Sequence, residues 1–229
     1  MKVALGFRPR SGWAAAVAVH ADPTQGVLER RRVALADLPP PVQPYHEAAG
    51  LDPGEAAALV EQATTAAYGA AGAELSTLVD RLRAAGHEVV AAGVAAGPGT
   101  VREDLPLDRV LAAHGTLHAA EGELYRDVLV DAAGGLGLPV TLVPPREVPA
   151  LARQLLGLDD GGVRALLTEL GRPHGPPWTR DHKDATVAAL LALDPQPVRA
   201  RAGPAAAPSA AGPGRRPGAG RRSRPARHR

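Results

Sequence analysis

The chain has 229 residues, a formal net charge of +2 and no cysteine. That length can enclose one core of ordinary size, and the absent cysteine excludes disulfides, thiolate zinc sites and thiol nucleophiles. The composition is strongly biased, with no Ile or Asn, two Lys and one Phe, so the core must be built from Leu, Val and Ala.

The first elements are short and apolar. Residues 2–7 and 14–19 read as strands joined through Pro9 to Gly12, and residues 27–35 read as a third strand after the turn at Asp22 to Gly26. Short links between them predict an antiparallel meander. Residues 37–50 include Pro39, Pro40, Pro41 and Pro44, which predicts extended chain; Tyr45 and His46 would anchor it. Asp52-Pro53-Gly54-Glu55 then starts a helix, with Asp as cap and Pro at the first position. It runs to about Ala85, weakened at Gly69 and Gly72 and stopped at Gly86.

His87 to Ala95 predicts a fourth strand, apolar enough to be central, broken by Gly97-Pro98-Gly99. Residues 107–136 are helical, in one piece or two. Leu138 to Val143 is a fifth strand, and helices follow near 146–156 and 160–170. A rigid Gly175-Pro176-Pro177-Trp178 loop leads to a last helix ending near Leu193, capped by Thr179 or Asp181.

Two pieces carry a resemblance: Val3-Ala4-Leu5-Gly6-Phe7-Arg8-Pro9 at the start, and Asp181-His182-Lys183-Asp184-Ala185 leading the last helix. In that order, and with three strands, helix, strand, helix, strand and helices between, the chain resembles the ribonuclease H-like superfamily, most closely its Holliday-junction resolvase branch. The resemblance covers about residues 2–193. It implies an α/β fold: a mixed five-stranded sheet, three antiparallel strands then parallel ones, flanked by helices.

The resemblance also implies four carboxylates that hold two divalent metals. One belongs on the first strand just before the Pro, one at the end of the fourth strand, and two on the last helix as Asp-x-x-Asp. Asp181 and Asp184 match the last pair. Arg8 stands in place of the first. The second would fall near Ala92 or Gly93, where there is no acid, and Glu88 lies at the wrong end of that strand. A guanidinium at position 8 would repel a divalent cation and pair with Asp181 or Asp184, in a bidentate fork if the geometry allows. Without that pairing the two Asp would simply favour the helix N-terminus.

A second polar group lies at His114, His118 and Glu121. In a helix these share one face at i, i+4 and i+7. Two His and one carboxylate suit a ligand or zinc with an open fourth position; the plainer reading is a solvated face with surface contacts from Glu123, Arg126 and Asp127. Trp178, beside Pro176 and Pro177, is either a packed residue or a stacking platform for a ring. The Gly93-x-x-x-Gly97-Pro98-Gly99 segment lacks the Lys and Ser/Thr of a phosphate loop.

Residues 196–229 hold nine Arg and no acid, so residues 1–195 are acidic on balance. That segment is rich in Pro, Ala and Gly, and its composition predicts disorder. Its Arg residues could contact phosphates. No leader pattern or membrane-spanning run is present, so a cytoplasmic location is expected. The chain is therefore expected to be a domain over 1–195 with a basic tail over 196–229. Its first functional reading is a catalytically inactive nuclease relative, without cofactor, that binds nucleic acid or protein. The alternative is a hydrolase acting on phosphoesters with Mg, Mn or Zn at a relocated site around His114, His118 and Glu121.

Overall fold

The computed structural model describes residues 1–22, 25–36, 39–102 and 104–198. Strands β1 (Lys2–Arg10), β2 (Trp13–His20) and β3 (Val27–Ala34) form the expected antiparallel meander. Strand β4 (Glu88–Val94) lies beside β1 in parallel, and β5 (Val140–Leu142) lies beside β4 in parallel. The sheet order is β3-β2-β1-β4-β5, with β1 in the middle. This is the mixed sheet that the resemblance implies.

The period of two along β1 divides its side chains between two layers. Val3, Leu5 and Phe7 enter a core with Leu75, Leu78 and Val79 of α2 (Pro53–Ala84) and Leu124, Tyr125 and Val128 of α4 (His114–Gly135). Helix α2 runs unbroken through Gly69 and Gly72, because its buried side chains recur on one face, from Ala63, Ala67 and Ala71 to Leu75 and Leu78. It stops where Gly86 takes φ +81°, a conformation that side-chained residues rarely adopt.

Ala4 enters the opposite layer with Ala185 and Ala189 of α7 (Arg180–Leu193). A Cβ on Gly6 would lie 1.9 Å from the Ala185 carbonyl oxygen, and one on Gly93 would lie 1.9 Å from that of Ala188. Gly6 and Gly93 are register partners across β1 and β4. Helix α7 therefore rests directly on the sheet backbone. Position 8 is the next residue on that face, which brings its side chain to the first turns of α7.

Helices α5 (Val148–Leu156) and α6 (Asp160–Gly171) pack on α7 through Leu151, Val163, Leu167 and Leu191. Val198 also packs there, three residues past the boundary expected at 195. The rest of the Arg-rich segment, residues 199–229, lies outside the described residues.

Residues 107–136, expected to be helical in one piece or two, form two: α3 (Leu107–Leu111) and α4, separated at Ala112 and Ala113. One expectation is corrected. Residues 44–48, expected to be extended, form a helix, α1 (Pro44–Ala48). Proline is compatible with a first helical position, where its missing N–H is no loss. The amide donors of the first turn are met from outside: Glu121 Oε1 accepts from Tyr45 N at 2.9 Å and from His46 N at 3.3 Å. Among the described residues no helix is long and apolar enough to cross a membrane.

Candidate functional site

Arg8 reaches the start of α7, as the alternation of β1 requires. Its Nε lies 4.0 Å from Asp181 Oδ1 and 3.9 Å from Asp184 Oδ2, within ion-pair range of both. It makes no fork to either. Its Nη1 instead donates to the Ala95 carbonyl at 2.7 Å, just past the end of β4, and its buried Nε has no hydrogen-bond partner. The bidentate fork belongs to Arg10: Nε donates to Asp181 Oδ2 at 3.1 Å and Nη2 to Oδ1 at 2.5 Å. Arg180 approaches Asp184 at 3.6 Å, one helical turn away. Arg10 is a member that sequence reasoning missed. Its signal was the alternation itself, since residues 8 and 10 share a face.

Asp184 is buried, at 7% exposure. Burial raises its pKa, while Arg180 and Arg8 pull it back down. Burial is also the main cause that lowers the Arg8 pKa, with Arg10 adding to it and Asp184 opposing. Arg10 moves upward, through its hydrogen bonds with Asp181. Three guanidinium groups thus surround two carboxylates. Ala92 and Gly93, where the resemblance expects an acid, lie in β4 among the pairings with β1.

Helix α4 presents the second cluster. His114 and His118 are one turn apart, with their Nε2 atoms at 2.8 Å. Glu121, one turn further on, does not join them as a third ligand. Its Oε1 is engaged with α1, and it lies 3.3 Å from His46 Nδ1. His46 takes the third place instead. One nitrogen from each of His46, His114 and His118 lies within 4.8 Å of the others. The three rings meet edge to face, with centroids 4.2 to 6.0 Å apart. His46 was invisible as a partner in the sequence because 68 residues separate it from His114 and its helix was unexpected.

The two clusters face one cleft. Two adjoining cavities of about 230 Å³ each are both lined by Arg8, Pro9, His118 and Gly122. One adds Arg10 and Glu121, the other Glu123 and Arg126. Glu123 fixes the loop after β4, accepting from the amides of Thr100 and Val101. Arg126 donates to Asp127 at 2.6 Å. A larger cavity of about 570 Å³ lies between α1, α2 and α3, walled by apolar residues such as Leu51, Ala56 and Leu111.

Trp178 does not join this cleft. Its Nε1 donates to the Leu167 carbonyl at 2.7 Å, and its ring stacks between His174 and His182. A Cβ on Gly171 would meet that ring at 2.4 Å, so Trp178 packs tightly on the end of α6. The loop before it is clamped by Arg30, which donates to the carbonyls of His174, Pro176 and Pro177. Thr179 caps α7, and its amide donates to His182 Nδ1 at 3.1 Å.

No protein-family model matches the chain, and the search of curated proteins found no relative. The comparison with solved structures found similar chains. One is T. thermophilus RuvC in complex with Holliday junction substrate, at 15% identity and a TM-score of 0.46, covering 83% of this chain and 91% of that one. A second Thermus thermophilus RuvC structure matches at 15% identity and a TM-score of 0.45, covering 82% and 91%. At such identity the likeness concerns the fold alone.

Proposed function

We propose that this chain is a ribonuclease H-like protein that binds nucleic acid and has lost two-metal cleavage. The observation that carries this reading is the arginine cluster on Asp181 and Asp184. A two-metal centre needs several oxygen ligands converging on hard cations. Here the two carboxylates that match the family pattern are already neutralised by Arg8, Arg10 and Arg180. One net positive charge remains, which repels a divalent cation and favours an anion.

The cleft suits such an anion. Arg8, Arg10 and Arg126 line it with Glu121 and Glu123, so cations outnumber acids there, and a guanidinium that exchanges its carboxylate partner presents its donors in a plane that matches phosphate oxygens. The Arg-rich segment adds phosphate contacts that depend on counterion release and not on sequence. The alternative of a hydrolase centred on His114, His118 and Glu121 is weakened by the engagement of Glu121 with α1.

Fluorescence anisotropy with labelled junction, duplex, hybrid and single-stranded probes tests the reading. The full chain should bind at low salt, and log K should fall linearly with log salt, by about 0.9 per duplex phosphate neutralised. Removing residues 199–229 should make that slope shallower. Arg10→Ala should weaken what binding the shortened chain retains. Absence of salt-dependent binding to all four probes at roughly 50 mM salt would overturn the reading.

A further inference from the structure

We propose that His46, His114 and His118 form a binding site for one divalent transition-metal ion of the zinc class, with Glu121 orienting His46 from behind. The site is separate from the arginine cluster and does not depend on the nucleic-acid reading. Three elements build it. His114 opens α4 and His118 follows one turn later, so both rings leave the same face. His46 comes from α1, a five-residue helix positioned by Pro44 and by the Glu121 carboxylate on its first-turn amides.

The geometry fits a small ion. Zinc takes histidine nitrogens at about 2.0–2.1 Å in a tetrahedron, which sets the nitrogens roughly 3.3 Å apart. The pair on α4 stands at 2.8 Å, and all three donors lie within 4.8 Å of one another. His114 and His118 are exposed, so small ring rotations close the difference.

Glu121 supplies the second observation. Its side chain is 4% exposed, and its Oε2 is buried with no hydrogen-bond partner. Its Oε1 sits 3.3 Å from His46 Nδ1. A carboxylate in that position holds the proton on Nδ1, fixes the ring and leaves Nε2 as the ligand atom. Structural metal sites commonly have such an outer carboxylate behind a ligating histidine.

The chemistry of the donors selects the ion. Three imidazoles without thiolate suit Zn, Cu, Ni or Co, whereas Mg, Ca and Mn favour oxygen ligands. Three protein ligands leave a fourth position for water or an anion. His118 also lines both cavities beside Arg8, so the ion would stand at the margin of the arginine-lined cleft.

The test uses the untagged full chain, stripped with chelator. Zn(II) is titrated by calorimetry, and Co(II) by visible absorption, whose intensity reports tetrahedral coordination. The wild type should take one Zn(II) per chain and give a tetrahedral Co(II) spectrum. His118→Ala, at an exposed position, should lose both signals with its circular dichroism and melting temperature intact. Glu121→Gln should weaken Zn(II) by about 10- to 100-fold. His174→Ala, outside the cluster, should bind as the wild type does. Absence of a stoichiometric step in the wild type would overturn the proposal. So would a step that survives unchanged in both His118→Ala and His46→Ala.

Discussion

Arg8 makes unlike contacts on its two sides. One side donates to the Ala95 carbonyl and ties β1 to the chain leaving β4; the other faces two carboxylates without hydrogen-bonding them. Removing it leaves buried Asp184 with Arg180 as its near partner. Breaking a buried ion pair costs about 3 kcal/mol or more when the partner keeps its charge alone, and Arg180 still offsets part of that cost here. Arg8→Met should therefore be destabilising in urea unfolding, and Arg8→Met with Asp184→Leu should recover much of the loss. Strictly additive effects would show that the two side chains do not interact. Glu121 gives a pH-dependent counterpart. Burial raises its pKa, and the hydrogen bonds from His46 and Tyr45 oppose the rise. A carboxyl whose folded pKa lies above its unfolded value contributes stability at low pH, and that contribution is lost as pH rises through the folded pKa. At neutral pH the ionised form carries the cost. Glu121→Gln keeps an oxygen for the amides of Tyr45 and His46. It should be no less stable than the wild type at pH 7, with the difference closing as pH falls below the ordinary glutamate range. A marked loss at pH 7 would mean that the His46 contact outweighs burial.

At the scale of elements, the closest approach is α7 on the sheet. Gly6 and Gly93 leave no room for a Cβ against the carbonyls of Ala185 and Ala188. Gly6→Ala or Gly93→Ala must push the helix away, and overpacking of this kind costs about 3 kcal/mol or less when neighbours yield. Backbone oxygens yield poorly, so each variant should lower the denaturant midpoint, and it should also loosen the Arg10–Asp181 fork that depends on helix position. An unchanged midpoint would show that α7 shifts freely. Most of this architecture was legible in the sequence. The apolar runs over residues 2–7 and 88–95 marked the central strands, Pro53 marked a helix start, and Gly86 marked its end. Two of the misses share one cause. Helix α1 is capped by Glu121, some 75 residues away, and a cap supplied by tertiary contact has no local signature. The same holds for His46 joining His114 and His118. Arg10 was missed for a smaller reason: β1 continues through Pro9, so its alternation carries three residues past the expected strand end.

At the scale of the whole molecule, an acidic body and a basic segment share one chain, and the body places Arg8, Arg10 and Arg126 along a cleft near the ends of β1 and β4. Among the described residues Val198 is the last to join the core, packing with α5, α6 and α7. The composition of residues 199–229 offers no core of its own, so their removal should leave the melting temperature nearly unchanged; a fall of several degrees would mean that the segment docks on the body. In the reading we propose, Arg8 and its neighbours stand where a pair of catalytic metals would otherwise sit. Losing one ligand of such a centre removes several kcal/mol of transition-state stabilisation, on the order of a thousandfold in rate. Two of the four ligand positions that the resemblance implies hold no acid, and one of them, position 8, holds a cation. The most direct measurement is a nuclease assay of the purified full chain on junction, duplex, hybrid and single-stranded substrates, with magnesium and with manganese. No metal-dependent cleavage of any of them is expected. Cleavage that disappears in Asp184→Asn would contradict that reading, because Asp184 would then be holding a catalytic metal despite the three arginines around it.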